Sequence, residues 1–535
     1  MRQDICRADR VAVVALAALA IMMSARSRVA TAQTYQEPFR PQFHFSPAKN
    51  WTNDPNGPVY YNGEYHLFFQ YNPFGDEWGH MSWGHAVSRD MVHWQQLPVA
   101  IPEWHGVMIF SGSTVVDAHN SSGLCESAAA DHSCLAAIYT GYRSAAAASS
   151  NSAAREQNQS QYLAYSNDRG RTWAEYDANP VIDLHLADFR DPKVFWYAPG
   201  HKWVIVTALP PQHKVRLFSS IDLKHWTALS DFGPAGATGG VWECPDLFPL
   251  AVDSDPHDIR WVLSVNVNPG GVAGGSGDQY FVGRFDGTTF TNDSPDAAPL
   301  WADYGADFYA STSFSDIPAS DGRRIWIGWL DNWQYAARAP THPWRGQQSI
   351  PRTLGLKRFP EGVRLVQQPI RELQVLRERP IVIANRTVLA ANRLLQAAEA
   401  RGDTIEIEAE IAPGSAEEFG FEVRESHDGS EAAVIGIDRA KSVLFVDRTR
   451  SGNVGFDPAF PARHMAPIHL TRGRPVKIHI LVDRSSVEVF GGDGETVISD
   501  LVFPAAASNG LEVYCQGGEA RVVKMTLWRV RRAWL

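Results

Sequence analysis

The stretch "SRDMVHW" (residues 88–94) recurs further along the chain as "SNDRGRTW" (166–173) and "SSIDLKHW" (219–226). In each copy a Ser precedes an Asp and a Trp stands four or five residues after that Asp, behind a strand-like run such as "VRLF" (215–218). "GRFDGTTF" (283–290) is a degenerate further copy. A repeated unit of strand, turn and Trp is typical of β-propeller blades. With chance similarity among turn residues as the alternative, the intervals predict about four to six blades.

The rest of the chain also has the pattern of an all-β protein. Short alternating or apolar runs are separated by Gly, Asn, Asp and Pro, and Asn62-Gly63 is a strong hairpin signal. Late in the chain, "PVKIHILVDRSSVEVFGG" (475–492) alternates on both sides of a turn at 483–486. We therefore predict a propeller over residues 33–365, a Pro-interrupted linker over 366–394 and a β-sandwich over 395–535.

Composition excludes some classes of partner and favours one. The 535 residues carry a net charge of −10, which leaves no basic stripe for nucleic acid. The 18 Trp, 16 Tyr and 25 Phe supply flat apolar area on which sugar rings stack. Ordinary packing of a large β-protein is the alternative explanation for these aromatic residues. Composition therefore hints at a carbohydrate ligand.

The N-terminus has the features of a secretory signal peptide. A short apolar run at residues 11–23 precedes the small residues Ala30-Thr31-Ala32. This run is short for a membrane span, so we predict a signal peptide over residues 1–32, cleaved between Ala32 and Gln33. A retained membrane anchor is the alternative. The mature chain is expected to be exported, soluble and free of membrane.

Cysteine use agrees with export. Cys125 and Cys134 bracket a short loop and are predicted to form a disulfide, whereas Cys244 and Cys515 are expected to be free and buried. The sequence has no Cys or His spacing typical of a zinc site. We therefore expect no metal and no organic cofactor, and the sequence leaves the oligomeric state open.

Three short acidic stretches share a local character. In each, an acid lies among aromatic residues, within two residues of a proline, where a strand would begin or end. They are "NDPNG" with Asp54, "FRDPKVFW" with Asp191 and "WECPDLF" with Glu243. In a propeller all three could point into the central funnel. Glycoside hydrolysis needs such carboxylates, one to attack the anomeric carbon and one to protonate the leaving oxygen. Each acid taken alone has the simpler explanation of an ordinary turn residue.

Taken together, these stretches resemble a known enzyme family. "WTNDPNG", "FSGS" (110–113), "FRDPKV", "ECPDLF" and "GGSGDQYFVGRFDG" (274–287) occur in the order found in glycoside hydrolase family 32, the invertases, levanases and inulinases. The match runs from about Phe43 to Leu354, and the C-terminal sandwich fits the second domain of the family. The resemblance implies a five-bladed propeller.

The resemblance also implies residue roles. Asp54 would be the nucleophile, Glu243 the general acid and then base, and Asp191 the stabiliser of the transition state. The positions that would line a fructose pocket are Asn53, Asn56, Gln70, Trp78, Phe110, Ser111, Arg190 and Trp333. For the two Trp residues, core packing is the alternative. Thr52 departs from the family, which more often has Met there, and Cys244 follows the acid where the related levansucrases have Arg.

The resemblance is strongest to exo-acting levanases and inulinases. We therefore predict a secreted, retaining β-fructofuranosidase that releases terminal fructose from levan, with inulin and sucrose as possible further substrates. A fructosyltransferase would use the same three acids and differ in what attacks the intermediate. A non-catalytic fructan-binding propeller is disfavoured, because a binding protein needs no nucleophile. Sialidases are disfavoured because the sequence shows no Arg cluster around a nucleophilic Tyr.

Overall fold

Antiparallel sheets follow one another along residues 50–369, and each forms a blade of a propeller. The structure is a computed structural model that describes residues 35–126, 133–143, 158–294 and 298–534. The described residues from Glu37 onward form one compact unit. The predicted signal peptide, residues 1–32, lies outside the described residues.

The first three blades contain thirteen strands. Blade I consists of β1 (Asn50–Tyr61), β2 (Glu64–Tyr71), β3 (Ser82–Ser88) and β4 (Gln95–Ile101). Blade II consists of β5 (Val107–Asp117), β6 (Cys134–Arg143), β7 (Asn158–Ser166), β8 (Ala174–Glu175) and β9 (Ile182–Leu186), the last two both pairing with β7. Blade III consists of β10 (Arg190–Tyr197), β11 (Lys202–Leu209), β12 (Lys214–Ser220) and β13 (Thr227–Phe232). Short 3-10 helices occupy Ala198–Gly200 and Pro210–Gln212.

Two more blades complete the propeller. Blade IV consists of β14 (Val241–Ala251), β15 (Ile259–Asn268), β16 (Gly277–Phe285), β17 (Phe290–Asn292) and β18 (Leu300–Trp301). Blade V consists of β19 (Tyr309–Ser313), β20 (Arg324–Trp329), β22 (Arg352–Phe359) and β23 (Gly362–Pro369). Between β20 and β22 lie a 3-10 helix, Ala336–Arg338, and the two-residue strand β21 (Trp344–Arg345). β21 pairs in parallel with β1 of blade I and so closes the ring.

The repeated Ser–Asp–Trp stretches form the turns between the third and fourth strands of blades I to III. In the first copy Asp90 Oδ1 accepts the backbone N–H groups of Val92 and His93 at 3.0 and 2.9 Å, and the Trp94 indole donates to the Met91 carbonyl. In the second and third copies Asp168 and Asp222 accept the equivalent backbone N–H groups. The indoles of Trp173 and Trp226 donate to the carbonyls of Gly170 and Leu223. In blade IV, Asp286 accepts from Thr288 and Thr289, and Phe290 replaces the Trp. The repeat therefore marks blades I to IV.

Apolar clusters fill the spaces between neighbouring blades. Between blades II and III, for example, Ile138 and Leu163 pack with Val194, Ile205 and Phe218. Blade II also contains the predicted disulfide, which joins Cys125 and Cys134. Among the described residues Cys244 and Cys515 are free, as expected. Both are only partly buried, whereas the sequence predicted burial. Cys244 follows Glu243 near the start of β14, and Cys515 lies on a strand of the C-terminal sandwich.

Two packed antiparallel sheets form the C-terminal β-sandwich. In spatial order the first sheet is β24 (Ile381–Thr387), β34 (Arg521–Arg529), β25 (Ile405–Ala412), β30 (Val476–Asp483), β31 (Ser486–Gly491) and β32 (Thr496–Leu501). The second sheet is β29 (Arg463–Pro467), β28 (Val443–Arg450), β27 (Ala432–Asp438), β26 (Glu418–Glu425) and β33 (Gly510–Gln516). The tight turn between β30 and β31 lies where the sequence placed it. A β-propeller followed by a β-sandwich, the predicted fold, is confirmed.

The predicted linker, residues 366–394, is more ordered than its prolines indicated. It holds the end of β23, a 3-10 helix at Arg371–Leu376, the whole of β24 and part of helix α1 (Val388–Ala397). β24 belongs to the sandwich because it pairs with β34 along its length. The pairing partner lies near the other end of the domain, so local sequence could not reveal it.

Buried ion pairs join the propeller to the sandwich. His44 lies between two sandwich carboxylates, with Nδ1 2.8 Å from Asp483 and Nε2 2.9 Å from Glu488. Burial alone lowers the pKa of His44, but the hydrogen bonds to Asp483 and Glu488 outweigh it and raise the pKa to about 9. Glu488 also accepts the guanidinium of Arg352 and the backbone N–H of Ile350. One sandwich carboxylate thus holds two cations and one backbone group of the propeller.

Glu488→Gln is expected to lower the free energy of unfolding by about 3 kcal/mol, because it leaves buried cations undercompensated. Chemical denaturation at pH 7 measures the change. As a matched control, Asp493→Asn breaks exposed pairs with Lys477 and Lys357 and should cost less than about 1 kcal/mol. A Glu488→Gln protein as stable as the parent would show that these pairs contribute no net stability.

Candidate active site

A cavity of about 340 Å³ opens at the propeller end where the inner strand of each blade begins. The strands β1, β5, β10 and β14 each supply residues from near their first positions. The lining residues are Asn53, Asp54, Gln70, Trp78, Phe110, Ser111, Tyr142, Gln159, Asp188, Arg190, Asp191, Glu243 and Trp333. The structure therefore brings together all the predicted site residues except Asn56.

A register shift lies beside the cavity in every blade. It separates Thr52 from Pro55 in β1, and the inner strands of the other blades shift at 109–112, 190–193, 243–246 and 309–312. A bulge adds a residue to one strand and redirects its side chains, which otherwise alternate between faces. Consecutive residues such as Asn53 and Asp54 therefore both reach the cavity. The prolines near the acids lie at these bulges, where a backbone without an N–H loses no ladder bond.

Asp54 is buried at the base of the cavity, and hydrogen bonds fix both of its oxygens. Oδ1 accepts from Asn53 Nδ2 at 2.9 Å, and Oδ2 accepts from Ser111 Oγ at 2.6 Å. The Trp51 indole donates to Asn53 Oδ1 at 2.8 Å and so orients the amide. Burial raises the pKa of Asp54, and the bonds from Ser111 and Asn53 limit that rise. The carboxylate is held in one orientation by neutral donors.

Asp191 lies next to Asp54 across the thiol of Cys244. Its Oδ2 accepts the Cys244 backbone N–H at 3.0 Å, and the sulfur lies 3.6 Å from Oδ2 of both aspartates. Burial raises the pKa of Asp191 to about 7; the Arg190 guanidinium opposes the rise, and the charges of Glu243 and Asp54 add to it. Asp191 and Cys244 both have positive φ, 64° and 44°, which the bulges impose. Three acids in one small volume thus perturb one another.

Glu243 is held from two sides. Arg190 Nε donates to Oε1 at 3.0 Å, and the Tyr309 hydroxyl donates to Oε2 at 2.5 Å. Arg190 is itself fixed by Asp188 at 2.8 Å and by Gln159 at 3.2 Å. The Glu243 side chain is 19% exposed, compared with 6% for Asp191. The Glu243 side chain is therefore more accessible to water than that of Asp191.

Aromatic rings form the wall of the cavity. Trp333 stacks on Trp51 with ring centroids 5.9 Å apart, and on the other side Phe110 stacks on Tyr142 at 4.7 Å. Trp78 meets Phe110 edge to face at 6.1 Å and remains 45% exposed. These rings present flat apolar surface beside the carboxylates, a combination suited to a sugar ring.

Asn56 lies behind the cavity and has no exposure to it. With its oxygen facing Gln70, the amide accepts from the Gln70 backbone N and Nε2 at 3.0 and 2.9 Å, and its nitrogen donates to Ser111 Oγ at 3.2 Å. Asn56 therefore positions two lining residues and is not itself placed to touch a ligand. Thr52 is also fully buried and does not line the cavity.

The sequence missed several residues of the site. Tyr142, Gln159 and Asp188 line the cavity, Tyr309 binds Glu243, and Cys244 binds both aspartates. Asp188 could have been found from its place two residues before Arg190 in a strand-start motif. Tyr309 carries no local signal, since its role depends on how blade V meets blade IV.

A second cavity, of about 390 Å³, lies where the Arg371–Leu376 helix meets the first sandwich sheet. Ligand atoms of Glu406, Glu408 and His479 lie within 4.8 Å of one another, as a metal site would require. Arg377 Nη2, however, lies 2.7 Å from a carboxylate oxygen of each Glu and already neutralises them. This cavity lacks the grouping of acids and aromatic rings found at the propeller mouth.

The chain belongs to glycosyl hydrolase family 32. The family's N-terminal domain model matches residues 44–369, and its C-terminal model matches residues 372–529. The protein is therefore a glycoside hydrolase, as the resemblance of the motifs implied. Within the described residues no helix is long and apolar enough to cross a membrane.

Individual relatives are similar over nearly the whole chain. A levanase of Bacillus subtilis (strain 168) is 49% identical over 96% of this chain and 74% of its own length. An extracellular exo-inulinase of Aspergillus awamori is 42% identical over 94% of this chain and 96% of its own. A crystal structure of exo-inulinase from that organism has a TM-score of 0.85 at 39% identity, covering 94% of this chain and all of the other.

Asp191→Asn is expected to raise the melting temperature at pH 8 by several degrees and to leave it unchanged near pH 4. The folded pKa, about 7, exceeds the usual value of about 3.9, so the folded state binds the proton more tightly than the unfolded state does. The stabilising contribution of this group is full below pH 4 and is lost as pH rises through 7, and Asn removes that loss. Calorimetry across this pH range measures the difference.

The control is Asp188→Asn, a more exposed acid of the same cavity that pairs with Arg190. It should not raise the melting temperature at any pH. An Asp191→Asn protein that melts at the parent's temperature at pH 8 would show that the ionised Asp191 carboxylate does not destabilise the folded state.

Proposed function

We propose that the protein is a secreted, retaining β-fructofuranosidase that removes terminal fructose from levan. The observation that carries the proposal is the convergence of Asp54, Asp191 and Glu243 at the base of one aromatic-walled cavity. Family membership supports a glycosidic bond as the target, and the relatives' names support a fructan. The roles of the three acids are those that the family resemblance implies, and their surroundings support them.

In the first step Asp54 is the nucleophile. A carboxylate oxygen forms a bond to the anomeric carbon of the fructosyl unit while the bond to the leaving oxygen breaks, and Glu243 gives that oxygen its proton. Asn53 and Ser111 fix Asp54 without a formal positive charge, so its negative charge stays available for attack. The product of this step is a covalent fructosyl-enzyme.

In the second step water displaces the Asp54 carboxylate from the fructosyl unit. Glu243, now ionised, takes a proton from water, the water oxygen bonds to the anomeric carbon, and the bond to Asp54 breaks. Partial exposure suits Glu243 to this work, because the residue exchanges its proton with water once per cycle. Two displacements at one carbon retain its configuration.

Asp191 stabilises the transition state. The fructosyl ring gains positive charge as the leaving bond stretches, and a fixed carboxylate that accepts hydroxyl hydrogen bonds favours that charge. The Cys244 backbone N–H holds Asp191 in place. Gln70 and Arg190 offer further polar contacts, and the ring faces of Trp78 and Trp333 flank the sugar.

The size of the cavity supports exo-action. Its volume of about 340 Å³ is near the lower end of the range for ligand pockets, about 300 to 1,000 Å³. Such a space suits a chain end better than the middle of a polymer. The name of the levanase relative, at 49% identity, supports levan as substrate, and the names of the exo-inulinase and invertase relatives support inulin and sucrose as further ones.

Secretion is part of the proposal. The Cys125–Cys134 disulfide is typical of proteins that leave the reducing cytosol. The exo-inulinase relatives are named extracellular. Export would bring the enzyme to a polymer that cannot enter the cell.

Asp54→Asn is expected to abolish fructose release from levan, and Glu243→Gln to lower kcat by about 10²- to 10⁴-fold. A fructoside with a nitrophenol leaving group needs little protonation, so it should restore fructosyl-enzyme formation in Glu243→Gln but not in Asp54→Asn. Stopped-flow release of nitrophenol makes the measurement. Unchanged turnover in Asp54→Asn would refute the assigned nucleophile, and no turnover in the parent would favour a fructan-binding protein.

Incubation with levan, inulin and sucrose is expected to yield free fructose from the first time point, with β-fructofuranose as the initial anomer by NMR. Exo-cleavage releases one unit at a time, and double displacement retains configuration. Early fructo-oligosaccharides without free fructose would contradict exo-action. Mainly oligosaccharide products at high sucrose would favour a fructosyltransferase.

A further inference from the structure

The loop that carries Trp333 lies between the catalytic cavity and the sandwich. It spans residues 331–338 after β20, with Trp333 in the wall of the cavity and Tyr335 fully buried two residues later. The Tyr335 ring packs edge to face with Phe460 and Phe456, at 5.4 and 6.1 Å between ring centroids. Both Phe residues belong to the sandwich segment between β28 and β29. One residue of the loop therefore lines the cavity while another is packed against the sandwich.

A buried arginine of the sandwich, Arg448 of β28, is bonded to this loop. Its Nη2 donates to the Tyr335 hydroxyl at 2.9 Å, and its Nη1 donates to Asp307 Oδ2 at 2.5 Å. The Tyr335 hydroxyl donates in turn to Asp307 Oδ1 at 2.5 Å, which completes a triangle of guanidinium, carboxylate and phenol. All three side chains are buried. Two polar groups of the propeller thus share one cation of the sandwich.

Contacts within the sandwich fix Arg448 itself. Its Nε donates to the Phe460 carbonyl at 2.7 Å, and its guanidinium lies over the Phe460 ring, 4.0 Å from the centroid. Asp307 also accepts the backbone N–H of Leu501 at 2.7 Å. A guanidinium is a planar fork with donors in fixed directions, so it holds its partners in one geometry. Arg448 therefore fixes the Tyr335 side chain relative to the sandwich.

Trp333 itself lies between two sets of anchoring contacts. On the propeller, its backbone N–H donates to Ser276 Oγ at 3.2 Å. Toward the sandwich, Arg338 Nε donates to Asp457 Oδ2 at 2.5 Å, and Arg338 Nη2 donates to the Gln334 carbonyl at 2.7 Å. The position of Trp333 is therefore determined by contacts with both domains.

We propose that Arg448 is a positioning residue that holds the Trp333 ring against the sugar in the cavity, acting through Tyr335. This inference rests on the proposed function, since Trp333 flanks the fructosyl unit. Without Arg448 the buried Asp307 carboxylate loses its guanidinium partner, and a loss of this kind favours rearrangement of the groups around the charge. A displacement of about 1 Å is enough to weaken a contact with substrate. Because the ring flanks the terminal unit, sucrose and levan are affected alike.

Arg448→Met removes the charge and keeps a long side chain. The expected result is an equal rise in KM for sucrose and levan, about 3- to 10-fold, the size of one weakened ring contact, with kcat within about threefold of the parent. In a Trp333→Ala background the same substitution should change KM by less than about 1.5-fold, because the contact through which it acts is already absent. A residue that only stabilises the fold would not show this dependence on Trp333.

Two further variants separate positioning from stability. Arg424→Met is the matched control, because Arg424 is a buried arginine of β26 in the same sheet that donates to the Ser508 and Arg484 carbonyls at 2.7 and 2.9 Å. It should lower the melting temperature and leave both KM values unchanged. Tyr335→Phe keeps the ring packing and the pair of Arg448 with Asp307 but loses the hydroxyl. It should raise both KM values about two- to fivefold, and it provides the test if Arg448→Met does not fold.

Hydrogen–deuterium exchange gives a readout that needs no substrate. The backbone N–H groups of Tyr335 and Ala336 donate to the Asn332 carbonyl at 3.1 and 2.9 Å. Peptides that span residues 331–338 should exchange faster in Arg448→Met than in the parent, and at the parent's rate in Arg424→Met. Unchanged exchange in both loop variants, unchanged KM, or an equal rise in KM with and without Trp333 would overturn the positioning role. A parent that hydrolyses neither sugar would instead overturn the proposed function, while the exchange rates would still decide whether Arg448 holds the loop.

Discussion

An extra residue in the inner strand of every blade is the constraint on which the site depends. Regular strands send neighbouring side chains to opposite faces. The bulges at the cavity end turn pairs of neighbours, such as Arg190 and Asp191, toward the same space. Since the five inner strands surround one axis, residues far apart in sequence meet there. The acids are neighbours because the same local irregularity recurs with each blade.

Grouping three carboxylates in a small volume costs stability, and the fold offsets that cost at two levels. Near the acids, Arg190 and the donors Asn53, Ser111 and Tyr309 supply one positive charge and several hydrogen bonds. Farther away, buried ion pairs between the propeller and the sandwich stabilise the fold around the site. The segment between them, Gln348 to Arg352, touches both: Gln348 donates to the carbonyl of Asn53, and Ile350 donates to Glu488. The sandwich thus contributes to the rigidity of a site that none of its described residues lines.

The sequence predicted the fold and most of the residues of the site because both produce local sequence patterns. The Ser–Asp–Trp turns are stabilised by hydrogen bonds within the turn, and the prolines near Asp54, Asp191 and Glu243 mark the bulges. What it missed depends on distant partners. Tyr309 contacts Glu243 only because two blades pack together, and β24 pairs with β34, which lies near the other end of the sandwich sequence. Asn56 does not line the cavity but holds Gln70 and Ser111, which do. Local patterns predict elements, whereas contacts between elements require the assembled chain.

The pairing of β21 with β1 closes the ring of blades, and the same segment supports the residues beside the nucleophile. Trp51 pairs with Arg345 and orients Asn53, whose carbonyl accepts from Gln348, a residue 295 positions later. A chain that has completed four blades has most of its strands but an unsupported nucleophile. Circular dichroism would count those strands as structure. Catalytic turnover, by contrast, reports whether β21 has paired with β1 and the ring of blades is closed.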